Sequence, residues 1–315
     1  MKKTVLLLLG LGALATAAPL GAQARPPQAR PQPPVFGAGI EVINLSLSVT
    51  DAQNNFVTDL VQGDFAVFED GIRQELSLYT HEKLPISMVI MIDTSASMEE
   101  KLPTAQTAAI KFSKTLRPED LAQVVAFNDR ATTLQPFTND LGLLEAAIVK
   151  TEASSSTSLH NALYIALKDL SRDKKAAELR RRAIVLLSDG EDTSSLVTDD
   201  QVLELAKKSE INIYAIRLRE GRANDKQREA FSQAEYLINA LARETGGRAY
   251  FPSSIGELDS VYERIAEELR TLYSVGYVSS NTRRDGKWRR IVVRVPDRES
   301  VQVRHRLGYY AAPTG

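Results

Sequence analysis

The sequence holds no cysteine. That excludes disulfides, thiolate zinc sites and iron–sulfur clusters. Histidine is scarce: His81, His160 and His305 are the only three, and they lie far apart. A histidine-rich metal site is therefore not expected, and any metal should be a hard ion held by oxygen. Excess charge is missing too. Lys and Arg number 39 against 40 Asp and Glu, for a net charge of −1. This gives no electrostatic footprint for nucleic acid or for an acidic membrane surface. Long apolar runs are also lacking: the stretch Thr4 to Ala18 is apolar and small, but short of the about 20 residues a membrane helix needs. The chain has no G-x-x-x-x-G-K-[ST] phosphate loop, no G-x-S-x-G elbow and no H-E-x-x-H, so three common catalytic signatures are absent.

What is present reads as a globular chain. Its 315 residues are 43% hydrophobic and 25% charged, enough for one large domain or two ordinary ones. Lys2 and Lys3, the apolar stretch and Ala22-Gln23-Ala24 together form an export signal with an A-x-A cleavage site. An uncleaved anchor is the alternative; a lipoprotein is excluded because no cysteine follows. The expected boundaries are a signal peptide over 1–24, a proline-rich linker over 25–39, an N-terminal β part over 40–83, an α/β domain over 84–272 and a C-terminal β part over 273–312. The mature protein is expected outside the cytoplasm: periplasmic, on the cell surface or secreted. No integral membrane span remains after signal cleavage.

Period-2 alternation from Ile40 to Val49 predicts a strand. Asp51 to Asn55 reads as a turn. It is not an EF-hand loop, since Gln53 stands where Asp or Asn belongs and the glycine is missing. Phe65 to Glu69 and Ile72 to Tyr79 are read as strands joined by Asp70-Gly71, a pair suited to the positive φ of a type I′ hairpin. From Pro85 the grammar changes to buried strands alternating with helices: strands over Ile86–Ile92, Leu121–Phe127, Arg182–Leu187 and Ile211–Leu218, and helices that include Leu159–Leu170 and a long amphipathic one over Ile255–Leu272. This predicts a doubly wound, mostly parallel sheet with helices on both faces. Strands return over Tyr273–Ser279, Lys287–Val295 and Ser300–Tyr309. Neither flank can build a core alone, so the economical arrangement is one β-sandwich made from both flanks with the α/β domain inserted. Two separate β units are the alternative.

The chemistry concentrates at strand ends, where open α/β sheets bind ligands. The buried strand Ile86–Ile92 runs into Asp93-Thr94-Ser95-Ala96-Ser97. Asp93, Ser95 and Ser97 alternate, so a tight loop can aim three oxygens at one point. A second buried strand ends in Ser188-Asp189-Gly190 and brings a second carboxylate. Ser156-Thr157-Ser158, just before a helix, could add a hydroxyl. Two carboxylates balance one divalent cation, and neutral hydroxyls add no charge. Mg²⁺, Mn²⁺ and Ca²⁺ all accept such oxygens, with Mg²⁺ preferred here. A free coordination position would suit a carboxylate from outside. No His or Lys is evident beside a nucleophile, which argues against catalysis.

Asp93-x-Ser95-x-Ser97, then Thr157, then Ser188-Asp189-Gly190 resembles the metal-ion-dependent adhesion site of von Willebrand factor type A domains. The resemblance covers roughly Leu84 to Tyr273. It implies Ser95, Ser97 and Thr157 as direct ligands, with Asp93 and Asp189 binding directly or through water. It also implies a doubly wound sheet with the ion on top and a role in metal-dependent protein binding. Asp64 to Gly71 and Arg306 to Tyr310 are similar to flanking motifs of an exported bacterial subgroup. One departure is Ser156, where many relatives carry glycine; Ser154 and Ser155 offer alternative hydroxyls.

The expected function is an exported, metal-dependent protein-binding module, not an enzyme, whose partner is a protein presenting an Asp or Glu carboxylate and not a nucleic acid. One alternative is a metal-dependent hydrolase, but phosphatases of the haloacid dehalogenase type need a second aspartate where this chain has Ser95. The other is a structural envelope protein whose metal staples loops. A lone D-x-S-x-S would be a helix cap. Glu191 and Asp192 read as solvated loop charges, Phe127-Asn128-Asp129 as a turn, Arg180-Arg181-Arg182 as a solvated face, and Trp288 as a sandwich residue.

Overall fold

Strand β1 (Val42–Thr50) buries Ile43, Leu45, Leu47 and Val49 on one face, as its alternation requires. Asn54 takes φ 66° in the turn that follows. Strand β2 (Ala66–Glu69) folds back into β3 (Ile72–Gln74) through Asp70 and Gly71, both at positive φ, 48° and 85°. Strand β4 (Leu76–Thr80) follows. The protein is seen as a computed structural model that describes residues 42–172, 180–189, 192–218, 225–298 and 300–313. The expected signal, the linker, and the residues Gly190 and Glu191 lie outside the described residues.

The α/β part starts with β5 (Ile86–Asp93), in which every residue is buried. A 3-10 turn over Ala96–Met98 leads to α1 (Leu102–Ser113). Then come β6 (Leu121–Phe127), β7 (Ala131–Thr138), α2 (Leu141–Val149), α3 (Leu159–Arg172), β8 (Arg181–Ser188), α4 (Asp199–Lys208), β9 (Asn212–Arg217), α5 (Asp225–Thr245), β10 (Ala249–Tyr250) and α6 (Leu258–Thr271). The sheet order is β10-β9-β8-β5-β6-β7. All neighbours pair in parallel except β7, which closes the edge antiparallel to β6. Alternation in β5 feeds two cores. Met88, Ile90 and Ile92 pack towards α1, α2 and α6, while Val89 and Met91 pack towards α3, α4 and α5. Helix α2 is capped by Asp140, whose carboxylate accepts from the backbone of Gly142 and Leu143 at 2.8 and 3.2 Å. Helix α5 ends at Gly246 with φ 80°, the left-handed C-terminal turn that glycine permits.

The chain returns to β in β11 (Tyr273–Val278), β12 (Trp288–Arg294), β13 (Gln302–Arg304) and β14 (Gly308–Tyr310). Two four-stranded sheets result, ordered β13-β1-β11-β4 and β14-β12-β2-β3. Each mixes strands from before and after the α/β part, and one core joins both, from Ile43, Leu45 and Leu47 to Val275, Ile291 and Val293. The flanks thus make a single sandwich.

Three expectations change. The strand read over Ile72–Tyr79 is two strands: β3 pairs with β2 in one sheet and β4 with β11 in the other. The strand read over Ser300–Tyr309 divides likewise, β13 joining β1 and β14 joining β12. Side-chain alternation carries on through each crossing, so the pattern does not mark it. Arg181 is not part of a solvated face. It is 4% exposed, and its guanidinium donates to the carbonyls of Leu269 (3.1 Å), Leu272 (2.5 Å) and Glu82 (3.4 Å). Trp288 is half-buried at the sandwich rim, edge-on to Tyr310 with centroids 5.0 Å apart and the Lys207 ammonium 5.4 Å above its ring.

Candidate metal centre

The chain leaves β5 for α1 and β6 on one side, and reaches β8 only later on the other. The carboxyl ends of β5 and β8, paired in register up to Ile92 and Leu187, therefore flank a topological switch point, where the diverging loops leave a crevice. Asp93 ends β5 and is fully buried. Its Oδ1 accepts from the backbone N–H of Ser95 at 2.8 Å, and its Oδ2 from the Ser188 hydroxyl at 2.5 Å. Burial holds the Asp93 carboxyl above the usual carboxylate range, while the Ser188 and Ser95 hydrogen bonds pull the other way.

The oxygens then run as a chain. Ser95 Oγ lies 3.1 Å from Ser97 Oγ, and the Ser97 hydroxyl donates to Asp189 Oδ1 at 2.9 Å. Asp93, Ser95 and Asp189 are buried and Ser97 is exposed, so the cluster opens to solvent on the Ser97 side. Thr157 is buried next to this loop. Its segment is tied to the D-x-S-x-S loop by Ser154 N–H to Thr94 O (2.8 Å) and Ala96 N–H to Ser155 O (3.1 Å). From behind, Thr157 is held by Thr193: its carbonyl accepts from the Thr193 and Ser194 amides at 2.9 and 3.1 Å, and its own amide donates to Thr193 Oγ1 at 3.1 Å. Ser154, Ser155 and Ser156 are exposed; Ser154 Oγ accepts from Asn128 and Ser156 Oγ bonds Ser194.

Two features escaped the sequence. The Lys101 ammonium forms an ion pair with Asp189 Oδ2, so a lysine does stand at this cluster. A cation-bearing side chain at the first turn of a helix opposes the helix dipole, and that was the available signal. The Asn128-Asp129 turn has a task as well: its carbonyls accept from Ser158 N–H (2.6 Å) and Ser158 Oγ (3.0 Å), which places the Thr157 loop. Asp192, expected to be solvated, is half-buried with Oδ2 3.3 Å from His160 Nδ1.

Among the described residues no group of three or more His, Asp or Glu side chains is placed to hold a metal. The candidate set has only two carboxylates, and its other donors are hydroxyls. These residues still fit a hard cation. A hydroxyl that donates to a carboxylate keeps two lone pairs for an ion, every donor is oxygen, and a cation, the Lys101 ammonium, already stands on Asp189.

Comparison with known proteins agrees with this architecture. Residues 88–191 match the family model described as the von Willebrand factor type A domain. Inter-alpha-trypsin inhibitor heavy chain H4 of Bos taurus is 22% identical over 213 residues, which is 62% of this chain and 22% of that protein. The chain thus spans about a fifth of that relative's length. Among solved structures, proximal thread matrix protein 1 from the mussel byssus superimposes with a TM-score of 0.50 at 15% identity, covering 64% of this chain and 51% of that one. The vWF domain of the type V pili tip protein of Porphyromonas gingivalis gives 0.49 at 14% identity, covering 59% and 95%. No helix among the described residues is long and apolar enough to cross a membrane.

Proposed function

We propose that this protein is a protein-interaction module of the von Willebrand factor A type, exported from the cytoplasm, that holds one divalent cation on Asp93, Ser95, Ser97, Thr157 and Asp189 and grips an acidic group of a partner protein. The observation that carries this reading is the linked cluster at the switch point, in which the Ser95 amide holds Asp93 and the Ser95, Ser97 and Asp189 oxygens follow one another at 3.1 and 2.9 Å. The match of residues 88–191 to a domain family known for protein binding supports the coarser part.

In this reading each residue has a distinct task. Asp93 anchors the loop from beneath through the Ser95 amide and the Ser188 hydroxyl. Ser95 and Ser97 present neutral oxygens, so the site carries just the two carboxylate charges that a divalent ion neutralises. Asp189 supplies the second carboxylate from β8. Thr157 is offered from its own loop, braced by Thr193 and Ser194. The ion supplies an electrophilic position for an outside carboxylate, with Mg²⁺ the preferred occupant and Mn²⁺ or Ca²⁺ the alternatives. Exposure of Ser97 leaves that side open to a partner.

The test is calorimetric titration of metal-free protein with Mg²⁺ and Mn²⁺, beside Asp93→Ala. The expected result is saturable one-site binding that weakens at least about 100-fold in the variant, more than the loss of an outer-shell partner brings, while circular dichroism shows the fold retained. Equal affinity in the variant would remove Asp93 from the site. A partner captured equally well in chelator and in Mg²⁺ would point to a loop-stapling role.

A further inference from the structure

Asp189 has little freedom. Its side chain is 0% exposed, so its charge has no access to water, and both oxygens are engaged: Oδ1 by the Ser97 hydroxyl, Oδ2 by the Lys101 ammonium. Lys101 differs from it. Its side chain is 24% exposed, and its backbone is fixed by Lys101 N–H to Met98 O (2.9 Å) and Ala105 N–H to Lys101 O (3.0 Å) at the start of α1. The ammonium therefore rides on a flexible four-carbon stem from an immobile root, at the solvent side of a buried carboxylate.

We propose that Lys101 is a tethered cation that occupies Asp189 in the metal-free protein and exchanges with the divalent ion. This rests on the metal reading above. Charge decides the exclusion. Two carboxylates and one ammonium leave the cluster at −1, whereas a divalent ion alone brings it to zero. Ion and ammonium together would set like charges a few ångströms apart in a poorly solvated pocket, where repulsion is far stronger than in water. The ion must therefore displace the ammonium towards solvent, a move the stem permits. Lys101 then has two effects. It keeps the buried Asp189 charge matched when no metal is present, and it lowers apparent metal affinity by the fraction of molecules in which it is seated. The site loads only where the divalent ion is plentiful.

Mn²⁺ titration of the metal-free full chain, of Lys101→Met and of Lys111→Met tests this. Lys111 pairs with Asp259 on α6 and serves as a control for general loss of positive charge. Lys101→Met should bind Mn²⁺ about tenfold more tightly than wild type, with Lys111→Met unchanged. A second measurement needs no variant. Acetylation of the Lys101 amine, followed by mass spectrometry on the wild type, should rise severalfold on saturation with Mn²⁺, while Lys111 acetylation stays level. Wild-type binding with no gain in Lys101→Met, or Lys101 acetylation indifferent to Mn²⁺, overturns the exchange but leaves the metal site standing. Absence of binding in all three proteins overturns both readings. Binding by Lys101→Met alone supports the exchange in its strongest form.

Discussion

His305 shows at the residue scale how a single group can be tied to one charge state. It is buried, its Nδ1 lies 2.6 Å from the Arg306 carbonyl, and its Nε2 accepts from the Val293 N–H at 3.1 Å. Nδ1 therefore carries the proton, and a second proton on Nε2 would break the Val293 bond. Burial pushes the pKa of His305 below its usual value, the Arg306 carbonyl pulls the other way, and the Arg306 charge pushes it further down. His81, stacked on Tyr273 at 4.1 Å, shifts in the same direction, mainly by burial. The unfolded chain takes up these protons near pH 6.5 and the folded chain resists them, and stability rises with pH wherever the unfolded state binds more protons. Stability is thus fully present above about pH 6.5 and declines as pH falls through it. Urea midpoints should be lower at pH 5.5 than at 7.5, with a smaller difference in His305→Gln. An equal difference in both proteins would clear His305. None of this was legible from a lone histidine in the sequence, because the shift comes from what surrounds it.

Arg181 belongs to the element scale, because it joins three of them. It starts β8, its amide donates to Pro85 O at 2.8 Å, and its guanidinium reaches the carbonyls of Glu82, Leu269 and Leu272. These carbonyls lie where the chain passes from β4 into β5 and where α6 gives way to β11. Burial lowers the Arg181 pKa to about 10, so it stays charged at neutral pH. Arg181→Met should cost about 3 kcal/mol, as a buried charged donor and its carbonyl acceptors lose one another. Chemical denaturation checks this, and a loss below about 1 kcal/mol would mean that water replaces the guanidinium. A run of three arginines ordinarily reads as solvated surface. The backbone carbonyls that capture the middle one lie about 90 residues away in the chain, beyond what local pattern encodes. Locally set elements fared better: β6 has the bounds read for it, and α3 starts at Leu159 as read, because each is set by a local apolar pattern.

The whole molecule keeps the sandwich and the candidate site at opposite ends of the central sheet. β5 leaves the sandwich at Ile86 and reaches the site at Asp93, a run of about 25 Å. The two ends of the α/β part are neighbours, because Thr80 on β4 pairs with Ser274 on β11. Among the described residues, the sandwich core draws only on the flanks. Replacing residues 82–272 by a turn of about five residues should therefore leave a sandwich that folds by itself. Cooperative thermal unfolding with a β-type circular dichroism spectrum is the expected result. A molten, non-cooperative product would mean that contacts to the α/β part, such as Arg304 to Glu268 (2.5 Å) and Tyr310 to Glu204 (2.7 Å), are required.

By itself the sequence determined the class of fold, the hairpin at Asp70-Gly71, the buried character of β5 and β8, and the order in which the proposed donors Asp93, Ser95, Ser97, Thr157 and Asp189 arrive. These follow from local rules: side-chain period, turn chemistry and the placement of loops at strand ends. Only the tertiary structure decided which sheet receives each half of the strands divided at Glu75 and between Arg304 and Gly308. It alone brought Lys101 to Asp189 and buried Arg181 between two junctions. Alternation states which face of a strand is buried but not which neighbour will pair with it. An ion pair between residues 88 positions apart exists only once the sheet has brought the ends of β5 and β8 together.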